Sequence, residues 1–484
     1  MKARNRLVWI SVALLSASLT AHCDSTDNPG DQQQTPPPVD TLSVSDASPK
    51  LFKNTGGSSI TLTGTGFQTG ATVTIAGVPA QDVTVVSSTT IQLKSPLKAA
   101  TCGKVPIVVT NPDGKTVTRS DLVTLLTSAL QYSIPSTITM GTYPRQVLAV
   151  DLNKDGKVDI VSANSGNANQ AVMFRLGNGD GQFQTATAFT SGSSAYGVAV
   201  ADFNKDGNLD LAAVNSGSND ISVRLATNAA QYGNAMNYTS GADPRAIAAG
   251  DLNGDGAIDL ATVSFGSSNL NVYLNKNDGT GTFNAASSST VGTSPVHLVL
   301  ADLNGDGKLD VVTANSNGNN LSLRIGMGNG TFGAATPLSA GSSPIFVTTA
   351  DWNGDGKLDL GVVNNGITTG TYVASILLGD GAGSFGTATN IDIGNATVPR
   401  GAVVGDFNLD GKPDLAVAGY GNNTIPVLLG KGDGTFESVV SLNGPANPQS
   451  IDTADVNGDG WPDIVATTSL TTSQNVSVML GSCK

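Results

Sequence analysis

The sequence predicts an all-β protein in which a small N-terminal β-sandwich precedes a seven-bladed β-propeller. A nine-residue pattern, Asp-x-Asn-x-Asp-Gly-x-x-Asp, occurs seven times at spacings of 49 to 55 residues, and a period of that size marks a repeat architecture. Short apolar runs without helical periodicity flank the copies, which is typical of strands. The composition is rich in turns, with 58 glycines and only 13% charged residues.

Residues 1–23 have the features of a bacterial export signal, because basic residues precede an apolar run from Leu7 to Leu19. The run is short for a membrane span. The segment that ends at Cys23 resembles the lipobox of bacterial lipoproteins, which would make Cys23 the lipid-modified residue. An extra residue after Leu19 and the presence of His22 depart from that pattern, so secretion without a lipid is the alternative. We expect an exported protein of the cell envelope or surface, or a secreted one.

Residues 24–39 contain consecutive glutamines and prolines and predict a tether that buries no core. Residues 40–128 alternate apolar and polar side chains between turn signals, which predicts a small sandwich. The stretch from Gly56 to Phe67, followed by Gly70 to Ala80, resembles the IPT/TIG family of immunoglobulin-like domains. The resemblance implies a spacer or a binding module.

Residues 129–484 contain the seven repeats, each long enough for the four short strands of a propeller blade. An aromatic residue is the first residue of the predicted outer strand in six repeats, as Phe183 is in the first, and Tyr132 is the seventh such aromatic, placed before the first loop. We therefore expect about residues 130–139 to supply the outer strand of the last blade, which would close the ring and remove exposed sheet edges.

The repeated loop has the chemistry of a calcium site, since calcium prefers several oxygen ligands from a tightly turned backbone. Positions 1, 3, 5 and 9 offer side-chain oxygens, position 7 offers a carbonyl, and the glycine at position 6 permits the turn. A helical EF-hand is excluded, because Ser162 stands at position 12 of the first copy and the flanks are strand-like. An acidic turn that binds nothing is the alternative for a single copy, whereas seven copies favour about seven Ca²⁺ ions.

The predicted ligands fall into five sets. Position 1 is Asp151, Asp202, Asp251, Asp302, Asp351, Asp406 and Asp455. Position 3 is Asn153, Asn204, Asn253, Asn304, Asn353, Asn408 and Asn457. Position 5 is Asp155, Asp206, Asp255, Asp306, Asp355, Asp410 and Asp459, and position 7 is Lys157, Asn208, Ala257, Lys308, Lys357, Lys412 and Trp461. Position 9 is Asp159, Asp210, Asp259, Asp310, Asp359, Asp414 and Asp463.

These loops, with fragments such as Phe332-Gly-Ala-Ala, resemble the FG-GAP/VCBS repeat family, which includes the propeller of integrin α-subunits. The resemblance implies calcium loops between the first and second strands of each blade, on one face of the ring. The full Phe-Gly-Gly-Ala-Pro sequence is absent. Recognition of ligands in the manner of integrins is therefore not implied.

A second candidate site lies on the opposite face, where each innermost strand begins. Six residues before a loop's first aspartate stand Arg145, Tyr196, Arg245 and Arg400, with apolar or amide residues in the other three repeats. The three arginines would surround the mouth of the central channel and could bind an anionic glycan or a carboxylate through paired N–H donors. The alternative is hydrogen bonding to strand carbonyls with partial solvation.

The residue inventory argues against catalysis. The chain has two histidines, and His297 lies within a predicted inner strand, where it is better explained by packing than by a nucleophilic triad. Besides Cys23, the cysteines are Cys102 and Cys483, for which a disulfide between the sandwich and the last blade and two separate thiols are equal alternatives. A calcium-assisted polysaccharide lyase is a remote alternative to a protein that is not an enzyme.

The formal charge of −13 does not describe a uniformly acidic surface, because the seven loops hold 21 of the 38 acidic residues. No basic stripe indicates nucleic-acid binding. We expect a calcium-binding adhesion or ligand-binding protein with an extracellular protein or glycan as its partner, and with any membrane contact made only through an N-terminal lipid. The alternatives are a lectin and a structural component of the envelope.

Overall fold

The computed structural model describes residues 41–53, 56–96, 103–126, 130–167, 171–366, 372–394, 398–469 and 475–482. Every regular element in these ranges is a β-strand, and the all-β prediction is confirmed. No helix in the described ranges is long and apolar enough to span a bilayer. The predicted export signal, the tether, Cys23, Cys102 and Cys483 lie outside the described residues.

The N-terminal domain is a sandwich of two sheets, ordered β1-β3-β7-β6 and β2-β9-β8-β4-β5. Its pairs are antiparallel except for β2 with β9. Alternate residues point inward, so that Ile60, Leu62, Ile75, Ile91 and Ile107 are fully buried. The strands are β1 Ser43–Ser48, β2 Leu51–Lys53, β3 Ser59–Thr65, β4 Thr72–Ile75, β5 Val78–Pro79, β6 Gln81–Ser87, β7 Thr90–Lys94, β8 Gly103–Thr110 and β9 Thr116–Leu126.

The rest of the described chain forms seven four-stranded antiparallel sheets, which we number as blades 1 to 7. Blade 1 is β12 Pro144–Val150, β13 Asp159–Asn164, β14 Val172–Arg175 and β15 Thr187–Phe189. Blade 2 is β16 Ala195–Ala201, β17 Asp210–Asn215, β18 Asp220–Arg224 and β21 Met236–Thr239, with a hairpin of β19 Ala226–Asn228 and β20 Gln231–Tyr232. Blade 3 is β22 Pro244–Gly250, β23 Asp259–Ser264, β24 Asn269–Tyr273 and β25 Ser287–Thr290.

The remaining blades repeat this order. Blade 4 is β26 Pro295–Ala301, β27 Asp310–Asn315, β28 Asn320–Arg324 and β29 Thr336–Leu338. Blade 5 is β30 Pro344–Ala350, β31 Asp359–Asn364, β32 Val373–Leu377 and β33 Thr389–Asp392. Blade 6 is β34 Pro399–Gly405, β35 Asp414–Gly419, β36 Thr424–Leu428 and β37 Val440–Asn443. Blade 7 is β38 Ile451–Ala454, β39 Asp463–Thr468, β40 Asn475–Met479 and β11 Ser136–Thr139, and β10 Gln131–Tyr132 pairs with β41 Gly481–Ser482 beside it.

The blades form a closed ring. The innermost strand of each blade contacts that of the next, and β12 contacts β38. All residues of the second strand of every blade are buried, because apolar side chains of neighbouring blades pack on both of its faces. The molecule therefore has its propeller core between blades, which stabilises the ring as a whole.

Blade 7 combines the two ends of the propeller sequence. Strand β11 pairs antiparallel with β40, so that Ser136 faces Val478 and Thr139 faces Asn475. Tyr132 donates a hydrogen bond to the Pro462 carbonyl at 3.0 Å, as Tyr232 does to the Leu209 carbonyl in blade 2. Residues near Tyr132 thus occupy in blade 7 the place that residues near Tyr232 occupy in blade 2.

Candidate metal loops and ligand pocket

Each of the seven acidic loops joins the first strand of a blade to its second strand. In blade 1, the two carboxylate oxygens of Asp151 accept the amides of Asp155 and Gly156, at 3.0 and 2.8 Å. The Asn153 side-chain oxygen accepts the same Asp155 amide at 3.0 Å, and the Asp155 carboxylate accepts the amide of Lys157 at 2.9 Å. The oxygens at positions 1, 3 and 5 therefore converge on one turn of backbone.

The aspartate at position 9 has a different environment, which is the same in all seven blades. Asp310 is fully buried, and its two oxygens accept the amides of Leu303, at loop position 2, and Gly326, just after the third strand, at 2.9 and 2.8 Å. The same pair of bonds holds Asp159, Asp210, Asp259, Asp359, Asp414 and Asp463. The position-9 carboxylate thus ties the loop to the turn after the third strand.

Burial raises the pKa of these position-9 carboxyls, because it disfavours the charged form and the aspartates at positions 1 and 5 add repulsion. The pKa rises to about 6 for Asp159, Asp210 and Asp259, to about 7 for Asp463 and to about 8 for Asp414. The pKa values of Asp310 and Asp359 are also raised. The loops concentrate negative charge that a bound cation would stabilise.

The donor set of the loops fits a hard divalent cation. Two carboxylates and one amide oxygen face one turn, and Ca²⁺ takes such oxygen ligands. Among the described residues, no group of three or more His, Cys, Asp or Glu side chains is placed to hold a metal ion. Both oxygens at position 9 accept backbone amides, although each keeps a second lone pair. Whether position 9 is a direct ligand stays a prediction.

Two further loop positions, which the sequence analysis did not single out, shape this face. Position 4 has a left-handed backbone in all seven loops, and Lys154, Lys205 and Leu409 adopt it without being glycine. Position 2 is buried, and its carbonyl accepts an amide from the next blade, as in the bonds from Gly330 to Leu252 and from Gly434 to Trp352, both 2.9 Å. The loops are therefore part of the contact between blades.

On the opposite face, the structure brings three of the four predicted ligand residues to one pocket. Arg145, Tyr196 and Arg245 begin the inner strands of blades 1, 2 and 3, and they line a pocket of about 340 Å³. The rest of the lining is Tyr143, Ser165, Gly166, Ser194 and Ser216. Arg400 is in blade 6, outside this lining, with its guanidinium 5.2 Å from the ring centre of Tyr420.

The two pocket arginines differ in their partners. Arg245 donates two hydrogen bonds to the Asp243 carboxylate, at 2.7 and 2.6 Å, and lies over the rings of Tyr196 and Phe265. Its pKa remains raised, because Asp243 and Tyr196 outweigh the effect of burial. Arg145 instead donates to the Ser165 hydroxyl and to the side-chain oxygen of Gln449, both neutral.

His297 lies on the inner strand of blade 4 and belongs to the packing between blades. Its ring is 4.0 Å from that of Phe346, and its Nδ1 accepts the Val347 amide at 3.5 Å. Burial lowers the pKa of His297 to about 4. The side chain is therefore neutral at pH 7.

The comparisons with known proteins agree with this architecture. The FG-GAP-like repeat family matches residues 151–213, 202–262, 251–313, 302–362 and 406–466, and the IPT/TIG domain matches residues 42–126. The repeat matches together span more than half of the chain, so the protein belongs to the FG-GAP-like repeat family, with an IPT/TIG domain before the repeats. Both predicted family resemblances are confirmed. Comparison with curated protein sequences gives no match.

Solved structures are similar to this chain at low sequence identity. BBS1N, determined in complex with ARL6DN, has a TM-score of 0.50 and 14% identity, with 73% of this chain and 98% of that chain covered. An Agrocybe aegerita lectin that recognises non-reducing terminal N-acetylglucosamine has a TM-score of 0.45 and 18% identity, covering 87% and 97%. The periplasmic gluconolactonase of Pseudomonas aeruginosa has a TM-score of 0.47 and 13% identity, covering 72% and 94%. The similarity to BBS1N concerns the fold alone.

Proposed function

We propose that the protein is an exported, non-enzymatic binding protein whose calcium-loaded propeller presents a ligand pocket at the channel mouth. The observation that carries this proposal is the pocket of about 340 Å³ lined by Arg145, Tyr196 and Arg245. Its volume is at the small end of ligand sites, and its polar groups come from rigid strand ends. The chain would expose this face to an extracellular glycan or protein, with the sandwich as a stalk or second contact.

The absence of catalysis is part of the proposal. His297 is held neutral between inner strands, and the position-9 carboxylates are tied to backbone amides, as Asp310 is. Around the pocket, Asp243 is paired with Arg245. In the described part of the chain these groups are engaged in structural contacts, which supports a binding role over acid–base catalysis at the pocket.

Calcium would stabilise the ring of blades and would not take part in ligand binding at the pocket. Position-1 and position-5 aspartates, position-3 asparagines and position-7 carbonyls would hold each ion, with position 9 as the predicted further ligand. A bound ion would fix loops whose second residues already contact the next blade. Each site occupied at 100 times its Kd would add about 2.7 kcal/mol to the free energy of unfolding.

A binding screen tests the proposed function. The purified protein, with calcium, would be applied to arrays of glycans and to extracellular matrix and cell-surface proteins. We expect the screen to find a ligand whose binding is weakened at least tenfold by Tyr196→Ala and is unaffected by Arg400→Ala. Tyr196 lines the pocket, whereas Arg400 does not. A ligand insensitive to Tyr196→Ala would place the site elsewhere, and turnover of a bound polysaccharide would favour the lyase alternative.

A further inference from the structure

The ligand pocket carries an excess of one positive charge. Arg245 is neutralised by Asp243, which it contacts through two hydrogen bonds. Arg145 has no acidic partner among the described residues, since its bonds there go to Ser165 and Gln449. A half-buried guanidinium without a counter-ion favours an anion at this position, because a carboxylate can match its parallel N–H groups.

Arg145 is also held in place before any ligand arrives. Its Nε donates to the Ser165 hydroxyl at 2.8 Å and its Nη1 donates to the Gln449 oxygen at 3.0 Å. Gln449 is itself fixed by a 2.8 Å bond from its Nε2 to the Ser469 hydroxyl, and the guanidinium lies 5.3 Å from the Tyr196 ring centre. A guanidinium has five N–H donors, so three remain for a ligand, and little side-chain entropy is lost when they bind.

Apart from Gly166, the remainder of the lining consists of serine and tyrosine side chains, each with a hydroxyl group. Tyr143, Ser165, Ser194, Tyr196 and Ser216 surround the space next to Arg145. Such groups both donate and accept hydrogen bonds, which suits a ring that carries several hydroxyls. An aliphatic side chain would find no apolar pocket among these residues.

We propose that this pocket binds the carboxylate of an acidic sugar, a uronic or sialic acid residue, with Arg145 as the anchor. This inference rests on the proposed function and specifies its ligand. Arg145 binds the carboxylate, and the serine and tyrosine hydroxyls form hydrogen bonds with the hydroxyls of the sugar. The Arg245–Asp243 pair lines the pocket without adding net charge.

The chain offers a matched control in Arg400. It occupies in blade 6 the position that Arg145 occupies in blade 1, and it also lies over a tyrosine ring, at 5.2 Å from the centre of Tyr420. It is exposed and outside the pocket lining. An effect of Arg145 that Arg400 does not share is therefore an effect of the pocket.

The test measures binding of the full chain, with calcium, to matched saccharide pairs by titration calorimetry or ligand-observed NMR. The pairs are trigalacturonic acid with its methyl ester, and sialyllactose with lactose. We expect the acidic member of at least one pair to bind, and its neutral partner to bind at least tenfold more weakly, because a hydrogen bond to a charged group contributes about 1.5–3 kcal/mol. Arg145→Ala should weaken acid binding 10- to 100-fold, Arg145→Lys should restore part of it, and Arg400→Ala should change it less than twofold.

Two outcomes would overturn the inference and leave the proposed function standing, so that failure of the sugar assignment is distinguishable from failure of the binding function. If neutral saccharides bind as tightly as acidic ones and Tyr196→Ala weakens both, the binding function stands and the carboxylate assignment fails. If no saccharide binds, but a protein ligand from the screen depends on Tyr196, the sugar assignment fails and the binding function again stands. Comparison of the methyl ester with the acid tests the charge on the wild-type protein, independently of how well the variants fold.

Discussion

At the scale of single residues, seven equivalent positions just before the innermost strands share an unusual backbone conformation. The residues Tyr143, Ser194, Asp243, Ser294, Ser343, Val398 and Asn447 all have φ between 47° and 57°. This left-handed region is tolerated by asparagine and aspartate and is costly for a β-branched side chain. Blade 6 alone among these seven positions places a valine there, and it therefore contains local backbone strain.

Replacing that valine should stabilise the protein. Val398→Asn is expected to raise the free energy of unfolding by about 1 kcal/mol, because asparagine already occupies this conformation at Asn447. Ser343→Val is the reverse experiment in blade 5 and should lose a similar amount. Both would be measured by urea unfolding with saturating calcium, and a loss of stability in Val398→Asn would contradict the strain argument.

Two half-buried titratable groups on inner strands give opposite pH dependences. His297 has a pKa lowered to about 4 by burial, so the unfolded chain binds its proton first, and stability is lost as the pH falls from about 6.5 to 4. Asp452 accepts the Ala149 amide at 2.8 Å, and burial raises its pKa to about 6. The folded chain binds that proton first, so stability is gained as the pH falls from about 6 to 4.

The two groups can be separated by substitution. His297→Gln should cost less stability at pH 5 than at pH 7. The wild-type protein loses stability at pH 5 because His297 is protonated in the unfolded chain and not in the folded one, and the variant has no such loss. Asp452→Asn should cost more at pH 5 than at pH 7, because the wild-type carboxyl is by then neutral. Urea unfolding at the two pH values measures both differences, and equal costs at pH 5 and pH 7 would show that neither pKa is shifted by folding.

At the scale of elements, the acidic loop combines two tasks in one sequence pattern. Positions 1, 3 and 5 form the turn that suits a cation, while position 9 fastens the loop to the turn after the third strand. The spacing of the motif predicted the loop between strands. It could not predict the second partner of position 9, because Gly326 lies 16 residues after Asp310 and only the folded blade brings it near.

The two tasks predict different effects of calcium on two neighbouring variants. Asp310→Asn places its amide NH₂ group against one of the two backbone N–H donors and should cost about 2 kcal/mol already in chelator, with the loss of a calcium ligand added when calcium is present. Asp306→Asn, at position 5 of the same loop, should cost little in chelator and should remove stability only when calcium is present. Thermal unfolding of both variants, with calcium and with chelator, measures this. A cost of Asp310→Asn that appears only with calcium would mean that position 9 acts mainly as a ligand.

The ligand face illustrates a similar division between what spacing can and cannot predict. The repeat period placed Arg145, Tyr196 and Arg245 at equivalent positions, and the structure brings them to one pocket. The period could not distinguish Arg145 from Arg245, because the difference lies in Asp243, whose left-handed backbone and salt bridge arise only in the turn. Nor could it show that Arg400 lies outside the pocket.

At the scale of the whole molecule, the propeller depends on a strand from the far end of its sequence. Strand β11 covers the edge of β40 in blade 7, and Ile138 packs against the core between blades 7 and 1. The all-β propeller class follows from the loop period and is confirmed. The loop period does not predict the contacts between blades, because they join residues of different repeats and the side chains at these positions vary. An example is the hydrogen bond from the Asn275 side chain to the Phe203 carbonyl.

Disturbing this strand should open the ring. Ile138→Glu places a charge against the core between two blades and is expected to cost about 2 kcal/mol or more, with self-association through the freed edge of β40. Ile134→Glu is the matched control, because Ile134 is 90% exposed, and it should change stability by less than about 0.5 kcal/mol. Chemical unfolding and light scattering would measure both effects, and equal results for the two variants would contradict the role of β11.

The closure of blade 7 also determines when the propeller can be completed during synthesis. The hydrogen bond from the Ser136 hydroxyl to the Val478 carbonyl joins residues 342 positions apart, and contacts so distant in sequence slow folding. The nascent chain must hold β11 without a partner while all the other blades are made. Strand β11 can pair only after β40 has been synthesised and has left the ribosome. Until then the growing chain contains a strand whose backbone hydrogen-bonding groups are unpaired.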